Sequence, residues 1–116
     1  MTIWERVASA LSGLSVPAAA NVLVVASESE RPDAYLVYQV ISDPPAQHAD
    51  YRETLRTYRV QVSVYSRNGL AGLPKQVEAA MLAAGFTRIA GRELPYSTAT
   101  GHFGFAQDFN YLEERD

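Results

Sequence analysis

The residues that could perform metal chemistry are few in this sequence and widely separated. His48 and His102 are the only histidines, and neither has a second donor at the spacing that a helix or hairpin would provide. A metal site needs three or four converging donors, and the chain has no cysteine to supply a thiolate. The sequence therefore predicts no metal site, and both histidines are expected to lie at the surface.

Catalytic groups of other kinds are equally sparse. Asp43, Asp50 and Glu53 lie close enough in the sequence to pair for acid–base catalysis, but they fall in a predicted loop and read as solvated charges. No serine stands in a G-x-S-x-G turn, and "GLAGLPK" at residues 69–75 lacks the spacing of a phosphate-binding loop. We expect no enzymatic activity and no cofactor. An enzyme that uses Asp50, Glu53 and a histidine is the minor alternative.

Composition and charge place the chain among globular domains. The 116 residues are 47% hydrophobic and 20% charged, which is enough for one core in a single domain over residues 1–116. No apolar run approaches the roughly 20 residues that span a bilayer, and the N-terminal stretch reads as a helix rather than a signal peptide. The net charge of −3 argues against a general nucleic-acid binder, which needs clustered cations.

Two helices are predicted from apolar residues at helical spacing. Thr2 and Glu5 form a capping box at the start of the first helix, which is expected over residues 2–14. The second helix is expected over residues 73–84, where a proline suits the first turn and Gly85 suits the end.

Strands are predicted from β-branched and alternating stretches. "NVLVVAS" at residues 21–27 reads as a short strand, and "AYLVYQVIS" at 34–42 reads as a strand that is buried on both faces. Residues 51–66 are strand-like throughout, which is long for one strand. The first half of this span is expected to bend, to leave the domain as a hairpin arm, or to form a helix. Two further strands follow the second helix.

The resulting order α, β, β, long β, α, β, β predicts an α+β fold with a mainly antiparallel sheet and both helices on one face. Phe103, Phe105 and Phe109 of the last strand are expected in the core under the helices. Residues 57–66 alternate, with tyrosine and valine directed toward the helices. The opposite side of this strand, which such sheets often leave exposed to water, carries Arg59, Gln61, Ser63 and Tyr65.

Tyrosine and arginine are prominent in the composition. The chain has seven tyrosines, and nine of its ten basic residues are arginine. Both residue types are enriched at protein interfaces. The alternative explanation is that the tyrosines are half-buried residues of the sheet and that a GC-rich genome favours arginine over lysine.

In their order along the chain and in their residue patterns, several stretches resemble those of a known family. A short helix leads to "DAYLVYQVISD", then to "TYRVQVSVYSRN", to the helix "LPKQVEAAMLAAGF" and finally to "YSTATGHFGFAQDFNYLEE". This order resembles the small tail-terminator, or tail-completion, proteins of long-tailed bacteriophages and prophages, and the resemblance covers residues 3–112. The chain differs in having Ala34 where proline is common in that family, and in a longer stretch before this strand.

The resemblance implies a structural protein of the virion tail or neck, made in the bacterial cytoplasm. Such proteins form a homo-oligomeric ring, typically a hexamer, that ends tail-tube polymerisation and joins the tail to the head connector. The implied partners are further copies of the chain, the tail-tube protein and the connector protein. No membrane and no sequence-specific nucleic acid is implied, although DNA passes through the ring.

Sheet edges and an arm over residues 46–57 would supply the contacts between subunits. The alternative function is a small α+β module that binds a ligand or a regulatory partner in a pocket lined by tyrosine and arginine. The candidate interface residues are Tyr51, Arg52, Glu53, Arg56, Arg59, Gln61 and Tyr65.

Overall fold

The described residues form two helices and a five-stranded, mostly antiparallel sheet, which confirms the predicted α+β class and element order. The computed structural model describes residues 2–23, 31–42, 55–70 and 72–114. In chain order the elements are α1 (Ile3–Leu11), β1 (Ala18–Ala20), β2 (Ala34–Ser42), β3 (Leu55–Ser66), α2 (Leu73–Ala83), β4 (Thr87–Ser97) and β5 (His102–Glu114).

The strands follow the order β1-β2-β3-β5-β4 across the sheet. β1 runs parallel to β2, and the other three pairs are antiparallel. The long strands β3 and β5 form the centre, while β1 and β4 are the two edges. Three strands lie between the two edges, so β1 and β4 border different strands of the sheet.

The ends of both helices follow the predicted chemistry. The Thr2 hydroxyl accepts from the Glu5 backbone N–H at 3.1 Å, and the Glu5 carboxylate accepts from the Thr2 N–H at 2.7 Å. α1 ends at Leu11, earlier than expected, and at its cap the Ser12 hydroxyl and backbone N–H both donate to the Ser9 carbonyl. After α2, Gly85 adopts φ 96°, a backbone conformation that glycine tolerates best.

One core lies between the helices and the sheet. Because buried residues of α1 and α2 join the same cluster, both helices pack on one face, as predicted. At about 0.8 kcal/mol per buried CH₂, this cluster supplies the main driving force for the fold. Its members are Ile3, Val7, Leu11, Leu36, Tyr58, Val60, Val62, Val64, Val77, Met81, Phe86 and Phe109.

The strand predicted at residues 21–27 is displaced toward the N-terminus. The strand here is β1, and residues 21–23 lie outside the sheet, while 24–27 fall outside the described residues. Asn21 donates its backbone N–H to the Tyr38 carbonyl at 2.8 Å and adopts φ 66°, which turns the chain away from β2. Pairing with β2 has overridden the weak strand propensity of three alanines.

The three phenylalanines of β5 do not share one environment, contrary to the prediction. Phe109 is fully buried beneath the helices, Phe105 is half-buried, and Phe103 is 44% exposed. Phe103 lies near the turn between β4 and β5, where its ring packs on Tyr96 at a centroid distance of 4.7 Å. The helices cover the middle of the sheet and leave this end open.

Candidate interaction surface

The polar side of β3 faces away from the helices and contacts a buried carboxylate. The Arg59 Nη2 donates to Asp108 Oδ2 at 2.7 Å, and the Gln61 Nε2 donates to Asp108 Oδ1 at 3.3 Å. The β3–β5 register places Gln61 directly opposite Asp108. Asp108 is only 6% exposed, whereas the Arg59 side chain is 45% exposed. A buried carboxylate needs such partners, since leaving one unpaired costs free energy.

Tyr65 lies further along the same strand and packs across the sheet. Its ring stacks on Tyr35 of β2 at a centroid distance of 5.0 Å and an interplanar angle of 23°. On its other side stands Gly104, where an added Cβ would come within 3.2 Å of the Tyr65 ring. The missing side chain at Gly104 therefore makes room for the tyrosine. Arg31 donates to the Tyr35 hydroxyl at 3.3 Å and extends this row.

His102 is buried rather than at the surface, so the prediction for this residue is wrong. It is 1% exposed, with Nε2 at 3.0 Å from the Pro32 carbonyl oxygen and Nδ1 at 2.8 Å from the Thr100 hydroxyl. Because a carbonyl only accepts, Nε2 is the donor in the contact with Pro32. Pro32 lies 70 positions away in the sequence, so the sequence alone did not reveal this contact.

Arg67 links two parts of the chain at the end of the sheet where His102 lies. Its Nε donates to the Thr100 carbonyl at 2.8 Å, and its Nη1 donates to the Arg31 carbonyl at 3.1 Å and to Asp33 Oδ1 at 3.0 Å. The guanidinium thus ties the start of β2 to the β4–β5 turn. Arg67 and His102 serve structure here, and their polar atoms face other parts of the chain.

The remaining predicted interface residues are not brought together by the described part of the structure. Tyr51, Arg52 and Glu53, with the rest of the predicted arm up to residue 54, lie outside the described residues, as do His48, Asp43 and Asp50. Arg56 lies in β3, opposite Glu113 in the register. Residues 55–57 belong to β3, so the helical alternative does not hold for them.

A groove of about 540 Å³ opens on the helix side, between α2 and the strands β4 and β5. Gln107 at its base is buried, donating to the Pro74 carbonyl at 2.8 Å and accepting from Arg88 Nε at 3.0 Å. Glu78 lies 3.9 Å from Arg88 Nε, so charges of both signs meet here. The groove is lined by Leu70, Gly72, Pro74, Lys75, Glu78, Arg88, Glu93, Phe105 and Gln107.

The two edges of the sheet carry exposed apolar side chains. At the β4 edge, Ile89, Tyr96 and Phe103 are exposed, and β4 itself is exposed along most of its eleven residues. At the opposite end of the strand order, Val22, just after β1, and Ile41 of β2 are exposed. Tyr96 and Phe103 pack together, and exposed apolar groups that form a continuous patch are typical of interaction surfaces.

Among the described residues, no three histidine, aspartate or glutamate side chains come together as a metal site. No helix in the described part of the chain is long and apolar enough to cross a membrane.

On the described surface, polar side chains form networks within the chain, and apolar groups are exposed near the edges of the sheet. No protein-family model matches the sequence, and no curated protein matches it.

Proposed function

We propose that this protein is a structural subunit of a phage or prophage tail that acts as a tail terminator. Copies of the chain form a ring, hexameric as the resemblance implies, which ends tail-tube polymerisation and joins the tail to the head connector. The protein works in the virion neck after assembly in the bacterial cytoplasm, without enzymatic activity. The observation that carries the proposal is the presence of different exposed apolar groups at opposite edges of one sheet.

A ring requires two different patches on each subunit, because each copy contacts the next through a heterologous interface. The β4 edge with Ile89 and Tyr96 is one candidate patch, and the opposite side, with Val22 after β1 and Ile41 of β2, is the other. Edge strands also offer unpaired backbone groups to a neighbouring chain. A subunit with both features is suited to polymerise with copies of itself and to close into a ring.

The polar residues support a structural role over a catalytic one. Asp108 accepts hydrogen bonds from two side chains, and His102 contacts Pro32 and Thr100 with its two ring nitrogens. Groups engaged in this way stabilise the fold and are poorly placed to accept protons from a substrate. The arm residues Tyr51 and Arg52 remain predicted contacts between subunits.

Tube growth provides a direct test of this function. Purified tail-tube protein should polymerise to unlimited lengths alone and to shorter, bounded lengths when the chain is added, with one end of each tube capped in negative-stain images. The proposal would be contradicted if tube lengths did not change at a saturating concentration of the added chain. Circular dichroism checks that the added protein is folded.

The groove beside α2 favours the second candidate, a ligand-binding module. Its Phe105 wall, with Lys75 and Arg88 against Glu78 and Glu93, suits a small aromatic compound that carries both a carboxylate and a cationic group. A thermal-shift screen of aromatic carboxylates distinguishes the two functions. The module predicts a rise in Tm that is lost in Arg88→Leu, whereas the tail terminator predicts no stabilising compound.

A further inference from the structure

We propose that Asn68 is a site of spontaneous deamidation, at which the chain modifies itself without an enzyme or a cofactor. The residue lies in the turn that follows β3, and Gly69 comes directly after it. An asparagine before glycine is especially prone to this reaction, because glycine has no Cβ to block the approach of its own backbone nitrogen. The inference concerns the chemistry of this turn and does not depend on the proposed ring.

The reaction takes place between the two neighbouring residues. The backbone nitrogen of Gly69, after loss of its proton, forms a bond with Cγ of the Asn68 amide. The bond between Cγ and Nδ2 breaks, and the amide nitrogen leaves as ammonia with the proton that Gly69 lost. Water then opens the resulting succinimide at either of its two carbonyl groups, which gives aspartate or isoaspartate. One water enters and one ammonia leaves, so no oxidant or other reactant is needed.

Neither reacting group is engaged in the described structure. Asn68 is exposed, and its side-chain amide forms no hydrogen bond with a described residue. The Asn68 backbone N–H donates to the Ser66 hydroxyl at 3.2 Å, whereas the Gly69 N–H donates to no carbonyl of the described residues. An N–H outside a helix or sheet ladder loses its proton to water more readily than one held within it. The turn therefore leaves both the nucleophile and the amide open to reaction.

The two other asparagines of the chain lack this combination and serve as internal controls. Asn21 precedes Val22, whose backbone N–H donates to the Ala20 carbonyl at 2.7 Å. Asn110 precedes Tyr111 and lies within β5, where it is paired with β3 on one side and β4 on the other. In both cases a branched or aromatic side chain shields the nitrogen that would attack.

The conversion alters the surface near one end of the sheet. Gly69 and Leu70 line a pocket of about 480 Å³ together with Tyr96 and Phe103, the aromatic pair near the β4 edge. Deamidation adds one negative charge to the net charge of −3, which gives −4. Isoaspartate also adds one backbone carbon to the turn between β3 and α2. The rim of this pocket therefore becomes more acidic as the protein ages.

Peptide mapping of aged protein tests the inference. The full-length chain is incubated at mildly alkaline pH, and samples are digested with pepsin in acid, which stops the reaction. Mass spectrometry then measures the gain of one mass unit at each asparagine. We expect progressive conversion of Asn68, faster at higher pH and with an equal amount of ammonia released, while Asn21 and Asn110 stay unchanged.

A synthetic peptide of residues 66–72 gives the rate when no fold restrains the turn. Similar rates for Asn68 in the protein and in the peptide support the inference. It would be overturned if Asn68 stayed intact in the protein while the peptide reacted, or if it reacted no faster than Asn21 and Asn110. Gly69→Ala should largely abolish the conversion. Because Gly69 has φ 87°, alanine strains this turn, and circular dichroism checks that the variant is folded.

Discussion

Arg59 on β3 donates to Asp108 on β5 across 2.7 Å, although the two residues are 49 positions apart in the sequence. The contact lies on the sheet face opposite the helices. Gln61 donates to the other oxygen of the same carboxylate. Arg59 and Gln61, which the sequence predicts as contacts for a partner, therefore also hold β3 and β5 together.

Removing the arginine should cost more than removing the carboxylate. Arg59→Leu leaves the buried Asp108 carboxylate with one fewer donor, so we expect the free energy of unfolding to fall by about 1–3 kcal/mol. Asp108→Asn should cost about 1 kcal/mol, because the remaining arginine is half-exposed and water solvates it. Urea unfolding measures both, with Arg92→Leu as the control at an exposed arginine. Equal losses in the two variants would contradict this reading of the pair.

The buried His102 should contribute strongly to the free energy of unfolding, because it holds one end of the sheet together. His102→Ala removes the contacts with Pro32 and Thr100 and leaves a cavity, so we expect a loss of about 2–4 kcal/mol in unfolding free energy. Thr98→Ala, in the exposed turn nearby, should cost less than about 0.5 kcal/mol. Chemical denaturation of both variants checks the prediction, and a His102→Ala protein as stable as the Thr98→Ala control would refute it.

Two glycines should respond in opposite ways to alanine. A Cβ at Gly91 would lie 2.9 Å from Phe105 Cε1 and would also meet the Arg88 guanidinium, so Gly91→Ala should destabilise by about 1–3 kcal/mol. At Gly13 an added Cβ meets nothing within 4 Å. Gly13→Ala should therefore leave stability unchanged or raise it by up to about 1 kcal/mol. Thermal unfolding of the two variants compares them directly, and the reverse order would show that the packing around Gly91 is misjudged.

Acid should weaken the N-terminal cap. The hydrogen bond from the Thr2 backbone N–H lowers the pKa of the Glu5 carboxyl. A lowered pKa gives stabilisation that is present above the ordinary pKa of glutamate and is lost as the pH falls through the lowered value. The Tm difference between the unmodified protein and Glu5→Gln should therefore shrink from neutral pH down to about pH 3. A difference that stays constant across this range would mean that the cap does not depend on ionised Glu5.

Local signals in the sequence identified most of the elements. The capping box at Thr2, the glycine after α2 and the alternation in β3 depend on neighbours within a few positions, so their geometry follows from local chemistry. The helix face of β3 is buried as its valines predict.

Long-range pairing explains what the sequence did not reveal. β1 is a strand because β2 lies beside it, and three alanines carry no strand signal of their own. The partners of His102 and Asp108 depend on turns and registers that bring distant residues together. The candidate site was accordingly found in part: Arg59, Gln61 and Tyr65 lie on the predicted face, but their contacts within the chain required the structure.

The proposed ring requires self-association of the chain, which sedimentation velocity measures. We expect a concentration-dependent shift from the 12.7 kDa monomer to a defined oligomer between micromolar and millimolar protein, or on addition of tail-tube protein. We also expect that Ile89→Asp, which places a charge on the β4 edge, weakens this shift while the monomer stays folded. A chain that remains monomeric throughout, with and without tail-tube protein, would contradict the account.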